Sequence, residues 1–180
     1  MRYLLPPPLL VTGPADNEIW YTTVDGKTAL TIGDSNLHFG DSNWCDNIFI
    51  ENTYNNGIGK LIFANPITTV SSIEGGWSIF TYDDGSNTYF SANRIKSVIF
   101  PKTLNTIGFW TLGGCSDLTE ITIPNSVISI GDCAFQSCSA LTSITYEGTQ
   151  EQWNAISKGN YWNTFTSVTY VKCTDGQVTL

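Results

Sequence analysis

The sequence predicts a short, β-rich solenoid, built from similar coils and closed by a cap at each end. Three observations predict this fold class. Residues 95–115 and 118–138 share apolar positions at a spacing of 23 residues, a period typical of solenoids. Only 13% of the residues are charged, while Gly, Asn, Ser and Thr are plentiful, as in turn-rich β proteins. Asx-Gly pairs lie between apolar runs, where hairpin turns are expected.

The repeat aligns position by position over the second half of the chain. A weaker copy begins at Ile58, in IGKLIFANPITTV, and about fourteen additional residues separate it from the next copy. We therefore expect about four coils, one of them degenerate and the last one incomplete. The aligned positions are Ile95, Leu118 and Leu141; Val98, Ile121 and Ile144; Phe100, Ile123 and Tyr146; Gly108 and Gly131; and Cys115 and Cys138.

The chemistry of one copy indicates how a coil is built. In LTEITIP, the apolar side chains of Leu118, Ile121 and Ile123 share a buried side if the strand proper is I-x-I. The following proline ends the pairing because it has no N–H to donate. Gly131 is expected to permit a sharp turn, and Cys138 to be a small buried thiol. One coil cannot bury its apolar side alone, so stacking creates the core.

The pattern L-x-x-I-x-I-P-x-x-V-x-x-I-G-x-x-A-F-x-x-C resembles the BspA-like leucine-rich repeats of bacterial surface proteins, also called the Treponema pallidum type. Residues 118–138 match at every signature position, and residues 95–115 depart where Thr111 and Leu112 replace Ala-Phe. The segments NEIWYTTVDG, YEGTQEQWNAISKGNYWN and VKCTDGQV also resemble parts of such proteins from gut anaerobes. The resemblance implies a leucine-rich-repeat solenoid, displayed on a bacterial cell or secreted.

We expect a single domain over residues 1–180. Its parts are an extended arm (1–14), an N-terminal β cap (15–57), a degenerate repeat with an insertion (58–94), leucine-rich repeats (95–146) and a C-terminal cap (147–180). Three prolines interrupt the apolar run of MRYLLPPPLLVTG, so it is interpreted as an arm of the mature protein, with any secretory signal absent from this sequence.

Local signals predict the elements of the two caps. Hairpins are expected at the pairs Asp25-Gly26, Asn56-Gly57 and Asp175-Gly176. A short helix is expected from Thr149 to Ser157, because Thr149 can cap it with Gln152 three residues later. This helix would face the core with Trp153 and Ile156 and cover the C-terminal end.

Charge and cysteine content exclude several classes of function. The net charge of −8 argues against a nucleic-acid partner, since phosphate binding needs clustered Lys and Arg. No apolar stretch is long enough to span a membrane. The five cysteines, an odd number, argue against a complete disulfide framework. Cys115 and Cys138 are expected to stack inside adjacent coils as free, buried thiols.

The sequence predicts no enzyme activity and no cofactor. A hydrolytic triad would need His38, the only histidine, and no G-x-S-x-G context surrounds any serine. No glycine loop suited to phosphate is present. A carboxylate pair for glycoside cleavage stays an open alternative, although the glutamates show no pairing logic: Glu18, Glu51, Glu74, Glu120, Glu147 and Glu151.

A metal site is a weaker alternative. The stretch GDSNLHFGDSNWCDN brings together oxygen ligands that calcium accepts, but it lacks the ordered ligand spacing of a known calcium loop, and Asx turns explain it as well. The candidate ligands are Asp34, Asn36, Asp41, Asn43 and Asp46.

Two surfaces are candidates for binding. The insertion IEGGWSIFTYDDGSNTYFSAN is interpreted as a projecting hairpin whose rings, Trp77, Tyr82 and Tyr89 among them, would bind a sugar or protein, or simply cover the coil edge. The second surface is the outer face of the strands. Its outward positions are Lys96, Ser97, Ile99, Thr119, Glu120, Thr122, Thr142, Ser143 and Thr145.

The sequence therefore predicts a non-enzymatic binding or adhesion module, acting through the repeat face or the aromatic insertion on a host or bacterial surface protein or glycan. The site residues expected for it are Lys96, Glu120, Thr122, Thr145, Trp77, Tyr82 and Tyr89. A carbohydrate-binding accessory module and a structural spacer or stalk are the alternatives.

Overall fold

The protein is described from a computed structural model, in which residues 13–27, 49–71, 79, 82–83, 89–90 and 94–180 are described. These residues form two larger β-sheets, one two-stranded sheet and one short helix. In chain order the elements are β1 (Glu18–Thr23), β2 (Phe49–Asn55), β3 (Ile58–Phe63), β4 (Thr69–Val70), β5 (Tyr82–Asp83), β6 (Tyr89–Phe90), β7 (Ile95–Ile99), β8 (Thr106–Ile107), β9 (Glu120–Ile123), β10 (Ser129–Ile130), β11 (Ser143–Tyr146), α1 (Gln150–Ala155), β12 (Ser157–Lys158), β13 (Tyr170–Cys173) and β14 (Gly176–Thr179).

The coils stack in parallel, which confirms the leucine-rich-repeat solenoid. Strands β7, β9 and β11 pair in parallel at the repeat spacing, so that Val98 lies opposite Ile121 and Ile121 opposite Ile144. A second parallel sheet has the order β12-β10-β8-β4. It includes β4, so the degenerate copy does contribute a coil. Each coil thus has one strand in each sheet, and the apolar side chains between them form the core.

The burial pattern of a coil agrees with the repeat. Leu118, Ile121, Ile123, Val127 and Ile130 are all buried, and the outward positions of β9 alternate with them. Ile128 belongs to the same apolar run but is 68% exposed. It precedes β10 (Ser129–Ile130), so strand alternation, which would place it on the same side as the buried Ile130, does not extend to it.

Gly131 is required for a different reason from the one expected. It does not lie in the left-handed region. A Cβ there would lie 2.7 Å from the carbonyl carbon of Gly108, and a Cβ on Gly159 would lie 2.7 Å from that of Gly131. These three glycines stack in successive coils, so close approach between backbones excludes a side chain.

The third side of each coil consists of tight turns, which we call the turn side (residues 109–116, 132–139 and 160–167). Successive coils are joined there by backbone hydrogen bonds, such as those from Leu112 N–H to Ala134 O (2.8 Å) and from Phe135 N–H to Trp162 O (2.7 Å). The buried Thr111 side chain, which replaces Ala in the repeat, donates to Val70 O at 3.1 Å. Its hydroxyl is therefore satisfied in the core.

The N-terminal cap departs from the repeat. Strand β1 lies between β3 and β7 and is antiparallel to both, so the degenerate copy and the first full copy are not neighbours in the larger sheet. The hairpin predicted at Asn56-Gly57 is confirmed, since β2 and β3 pair across it. The prediction that β1 forms a hairpin across Asp25-Gly26 is wrong. A turn forms there, but β3 and β7 already occupy both edges of β1.

The C-terminal cap agrees with the local signals. Helix α1 has Thr149 as its N-cap with a complete capping box to Gln152, and Trp153 and Ile156 are buried. Strands β13 and β14 form the hairpin predicted at Asp175-Gly176 and extend the larger sheet past β11. The Trp153 ring contacts those of Tyr146 and Trp162 at centroid distances of 5.4 and 5.9 Å. This aromatic cluster covers the end of the core.

The described cysteines are free thiols, which was predicted for Cys115 and Cys138; they are Cys115, Cys133, Cys138 and Cys173. Cys115 and Cys138 are buried in adjacent coils, and the Cys138 thiol donates to Leu112 O at 3.0 Å. Burial of the Cys138 thiol, with Cys115 beside it, raises its pKa far above the ordinary value, so it stays protonated and unreactive. Cys45 and the arm up to residue 12 lie outside the described residues.

Candidate binding surface

The outer face of the larger sheet carries a continuous row of side chains across six strands. Register places each of them directly opposite the next, from β13 through β11, β9, β7 and β1 to β3. We call this set the outer row: Lys172, Thr145, Thr122, Ile99, Trp20 and Lys60. It brings together the predicted site residues Thr122 and Thr145 as a directly opposed pair.

The hydroxyl groups of the strand face fall into two classes. Thr119 and Thr142 lie where the chain enters a strand, and each donates its hydroxyl to a carbonyl of the preceding coil, at 3.1 Å to Lys96 O and 3.4 Å to Thr119 O. Their hydroxyls are engaged in holding the stack together. The half-buried Thr122 and Thr145 side chains make no hydrogen bond to any described residue. Their hydroxyls are therefore available to a partner, as is that of the exposed Ser143.

A second, shorter row runs beside the outer row. Glu120 lies opposite Ser97 on one side and Ser143 on the other, and its side chain is exposed. Ser97 was expected to be an accessible outward position, and this is wrong. It is only 8% exposed, and its hydroxyl is hydrogen-bonded at 2.7 Å to that of Thr22, which lies opposite it on β1. The repeat pattern contains no sign of this neighbouring strand.

Lys96 is exposed, but it does not continue either row. The register shifts here, so that Ser97 lies opposite Thr22 and Ile95 opposite Thr23, which leaves Lys96 as the additional residue of a bulge. Bulges change the direction of a side chain at the edge of regular pairing. No ion pair joins Lys96 to Glu120 in the described structure, so the two predicted charged residues are separate features of the surface.

The N-terminal end of the outer row is a site that the sequence prediction missed. Trp20 points outward but is only 7% exposed. The Lys60 ammonium lies 4.6 Å from the centre of its ring, and the indole N–H donates to the Glu18 carboxylate at 2.6 Å. Lys60 and Glu18 also form an ion pair at 3.3 Å. The sequence does contain a signal for this contact, because Glu18 and Trp20 are two residues apart and therefore share one face of a strand.

Trp20 and Lys60 hold Glu18 in its charged form. Burial of the carboxyl acts to raise its pKa, but the Trp20 hydrogen bond and the hydrogen bond and charge of Lys60 outweigh burial, so the pKa of Glu18 is lowered overall. Trp20, Lys60 and Glu18 thus form an ordered, charge-balanced platform beside the apolar Ile99 side chain. A cation over an indole is a stabilising arrangement that also fixes the ring.

The structure describes only part of the other predicted sites, which are the aromatic insertion, the calcium candidates and His38. The insertion does contain a hairpin, since β5 and β6 pair antiparallel with Tyr82 opposite Phe90 and Asp83 opposite Tyr89. Trp77 lies outside the described residues, as do the calcium candidates Asp34, Asn36, Asp41, Asn43 and Asp46 and the histidine His38. Among the described residues, no group of three or more His, Cys, Asp or Glu side chains is placed to hold a metal ion.

Comparison with known families agrees with the stack of coils. A family model described as a BspA type leucine-rich repeat region, in six copies, matches residues 83–176, more than half of the chain. The chain belongs to this family. Neither the curated proteins nor the solved structures that were compared contain a match to it.

Membership of the BspA-type family carries a general expectation. Leucine-rich repeats of this type act as protein-interaction or surface modules, and the scaffold is generally non-enzymatic. None of the described helices is long and apolar enough to cross a membrane. The fold provides a rigid sheet face, and the particular side chains on that face decide what binds there.

Proposed function

We propose that this BspA-type chain is a non-enzymatic binding module, displayed on or secreted from a bacterial cell, and that it recognises a surface protein or glycan with its outer row. The observation that carries the proposal is the register of the row. Six side chains on six neighbouring strands lie in line, and the central pair, Thr122 and Thr145, offers unoccupied hydroxyls.

The chemistry of the row suits a polar partner with an apolar edge. Lys172 supplies positive charge at one end of the row, and the half-buried Ile99 supplies apolar surface beside Thr122. At the other end the charge of Lys60 is balanced by Glu18, and Lys60 lies over the nearly buried Trp20 ring. Hydroxyl groups beside a cation and a small apolar surface suit the hydroxyls and carboxylates of a glycan or an acidic protein segment. Because the row lies on paired strands, little ordering entropy opposes binding there.

The test compares binding of three variants with the wild type on an array of glycans and extracellular proteins. The first variant, Thr122→Lys/Thr145→Lys, blocks the centre of the row. The matched control, Thr106→Lys/Ser129→Lys, makes the same change at half-buried outward positions of the smaller sheet, in neighbouring coils. The third, Trp77→Ala/Tyr82→Ala, alters the aromatic insertion.

The outcomes separate the candidate functions. A specific hit that is lost in the first variant and kept in the matched control supports the outer row. A hit lost only in the third variant assigns binding to the insertion, as in a carbohydrate-binding accessory module, for which the β5–β6 hairpin is the supporting observation. If no ligand binds the wild type, a structural spacer becomes the better reading and the proposal fails.

A further inference from the structure

The turn side of the stack repeats the same backbone geometry in three coils. Two positions in each coil lie in the left-handed region, where non-glycine residues are rare. In the three coils in turn, the first position is occupied by Trp110, Cys133 and Tyr161, whose φ angles are 50, 56 and 57°. The second position is occupied by Gly114, Ser137 and Phe165, whose φ angles are 77, 62 and 62°. The last coil, residues 160–167, is therefore a true turn-side coil despite its different sequence.

This geometry points alternate N–H groups of each coil towards the next one. In the first coil, the N–H groups of Trp110, Leu112 and Gly114 donate to the carbonyls of Asp132, Ala134 and Gln136 at 3.1, 2.8 and 2.8 Å. In the second coil, those of Cys133, Phe135 and Ser137 donate to the carbonyls of Asn160, Trp162 and Thr164 at 2.9, 2.7 and 2.9 Å. Each row of three donors is thus covered by three alternate carbonyls.

The last coil repeats the row of donors without a cover. The equivalent N–H groups belong to Tyr161, Asn163 and Phe165, and they make no hydrogen bond to any residue that the structure describes. In the larger sheet the same end is continued by β13 and β14, whereas β12 is the last strand of the smaller sheet. On the turn side the coil therefore ends in a row of uncovered donors, like the edge of a sheet that lacks its next strand.

Two exposed rings flank these donors. Tyr161 is 68% exposed and Phe165 is 72% exposed, and both occupy the left-handed positions. At the equivalent places the second coil has Cys133 and Ser137, and the first coil has Trp110 and Gly114, so only the last coil carries a ring at both places. Large apolar side chains that are exposed beside unpaired backbone donors are typical of an interaction surface rather than of a solvated turn.

We propose that the N–H groups of Tyr161, Asn163 and Phe165, together with the rings of Tyr161 and Phe165, form a docking edge for a peptide segment of another protein that presents alternate backbone carbonyls. The occupant is inferred from the two earlier coils, where such carbonyls cover the same donors. A symmetric pair of this edge is excluded, because donors would face donors. The edge lies apart from the outer row, so it is a second binding surface.

The probe for this edge is the capped nonapeptide of residues 159–167, GNYWNTFTS, whose carbonyls cover such a row within this fold. Amide exchange in ¹⁵N-labelled protein first compares Tyr161, Asn163 and Phe165 with Cys133, Phe135 and Ser137. We expect fast exchange in the first set and slow exchange in the second. Addition of the peptide should shift the first three amide signals in a saturable way and slow their exchange.

Two variants and a control make the result decisive. Tyr161→Asn/Phe165→Asn removes both rings at positions where Asn is tolerated, and it should weaken peptide binding roughly tenfold. Asn163→Pro removes the central donor and should weaken binding as well. The control Phe109→Asn removes a ring that is 45% exposed on the first coil and should leave affinity unchanged.

Three results would overturn the proposal. The first is protection of the three amides in the free protein, because the edge would then already be occupied. The second is the absence of any shift up to millimolar peptide. The third is unchanged affinity in the ring variant, which decides the matter even if Asn163→Pro perturbs the fold.

Discussion

The two ends of this stack are closed in different ways. At the C-terminal end the closing elements follow one another along the chain, and each begins with a local signal, such as the capping box of α1 or the turn at Asp175-Gly176. At the N-terminal end, β1 lies between β3 and β7, whose residues follow it by dozens of positions. The comparison teaches that local chemistry identifies a cap built from consecutive residues, whereas a strand inserted between two repeats leaves no periodic trace.

The largest loss of stability is expected at the C-terminal end, from the substitution Trp153→Ala. Trp153 is 1% exposed and contacts Tyr146 and Trp162, so its loss should lower the free energy of unfolding by about 3–5 kcal/mol. Asn154→Ala, on the exposed side of the same helix, should change it by less than about 0.5 kcal/mol. Urea denaturation measures both. Equal losses would mean that α1 does not close the core.

At the N-terminal end, Gly59→Ala tests how closely β1 packs against β3. A Cβ at Gly59 would lie 2.0 Å from the Tyr21 ring, which is buried against it, so the ring or the strand must move. We expect a loss of about 1–3 kcal/mol in unfolding free energy.

A double-mutant cycle identifies the cause of that loss. In a Tyr21→Val background, which removes the ring, Gly59→Ala should cost much less than it does in the wild type. If the two costs simply add, the contact between β1 and β3 is not what Gly59 protects.

The cap of α1 should contribute a smaller amount. Thr149→Ala removes the side-chain acceptor for the Gln152 N–H, and we expect a loss of about 1 kcal/mol. Thr149→Ser keeps the acceptor and should restore most of the stability, as read from thermal unfolding monitored by circular dichroism. A serine variant as unstable as the alanine variant would argue against the capping box.

These contrasts explain which parts the sequence could predict. The 23-residue spacing predicted the parallel stack and the inward residues, because stacking forces every coil to bury the same positions. It predicted Thr122 and Thr145 as outward positions, but not that Thr119 and Thr142 donate to the preceding coil, which depends on geometry at the strand start. It also missed the Trp20 platform, since the position of β1 is decided by tertiary pairing rather than by a local pattern.

The smallest effect tests that platform by its dependence on pH. The pKa of Glu18 is lowered in the folded protein, so its charged form stabilises the fold above the pKa of the unfolded state, and this contribution is lost as the pH falls through the folded pKa. The wild type should therefore exceed Glu18→Gln in unfolding free energy by the largest amount at neutral pH, and this difference should shrink below about pH 5.

The control for that measurement is Glu147→Gln, an exposed residue whose side chain makes no hydrogen bond or ion pair with the described residues, which should change the unfolding free energy little. A Glu18→Gln difference that stays constant from neutral to acid pH would mean that the Glu18 charge does not hold Trp20 and Lys60 in place. In that case the outer row would lose its fixed N-terminal end, and its recognition chemistry would rest on Ile99, Thr122, Thr145 and Lys172.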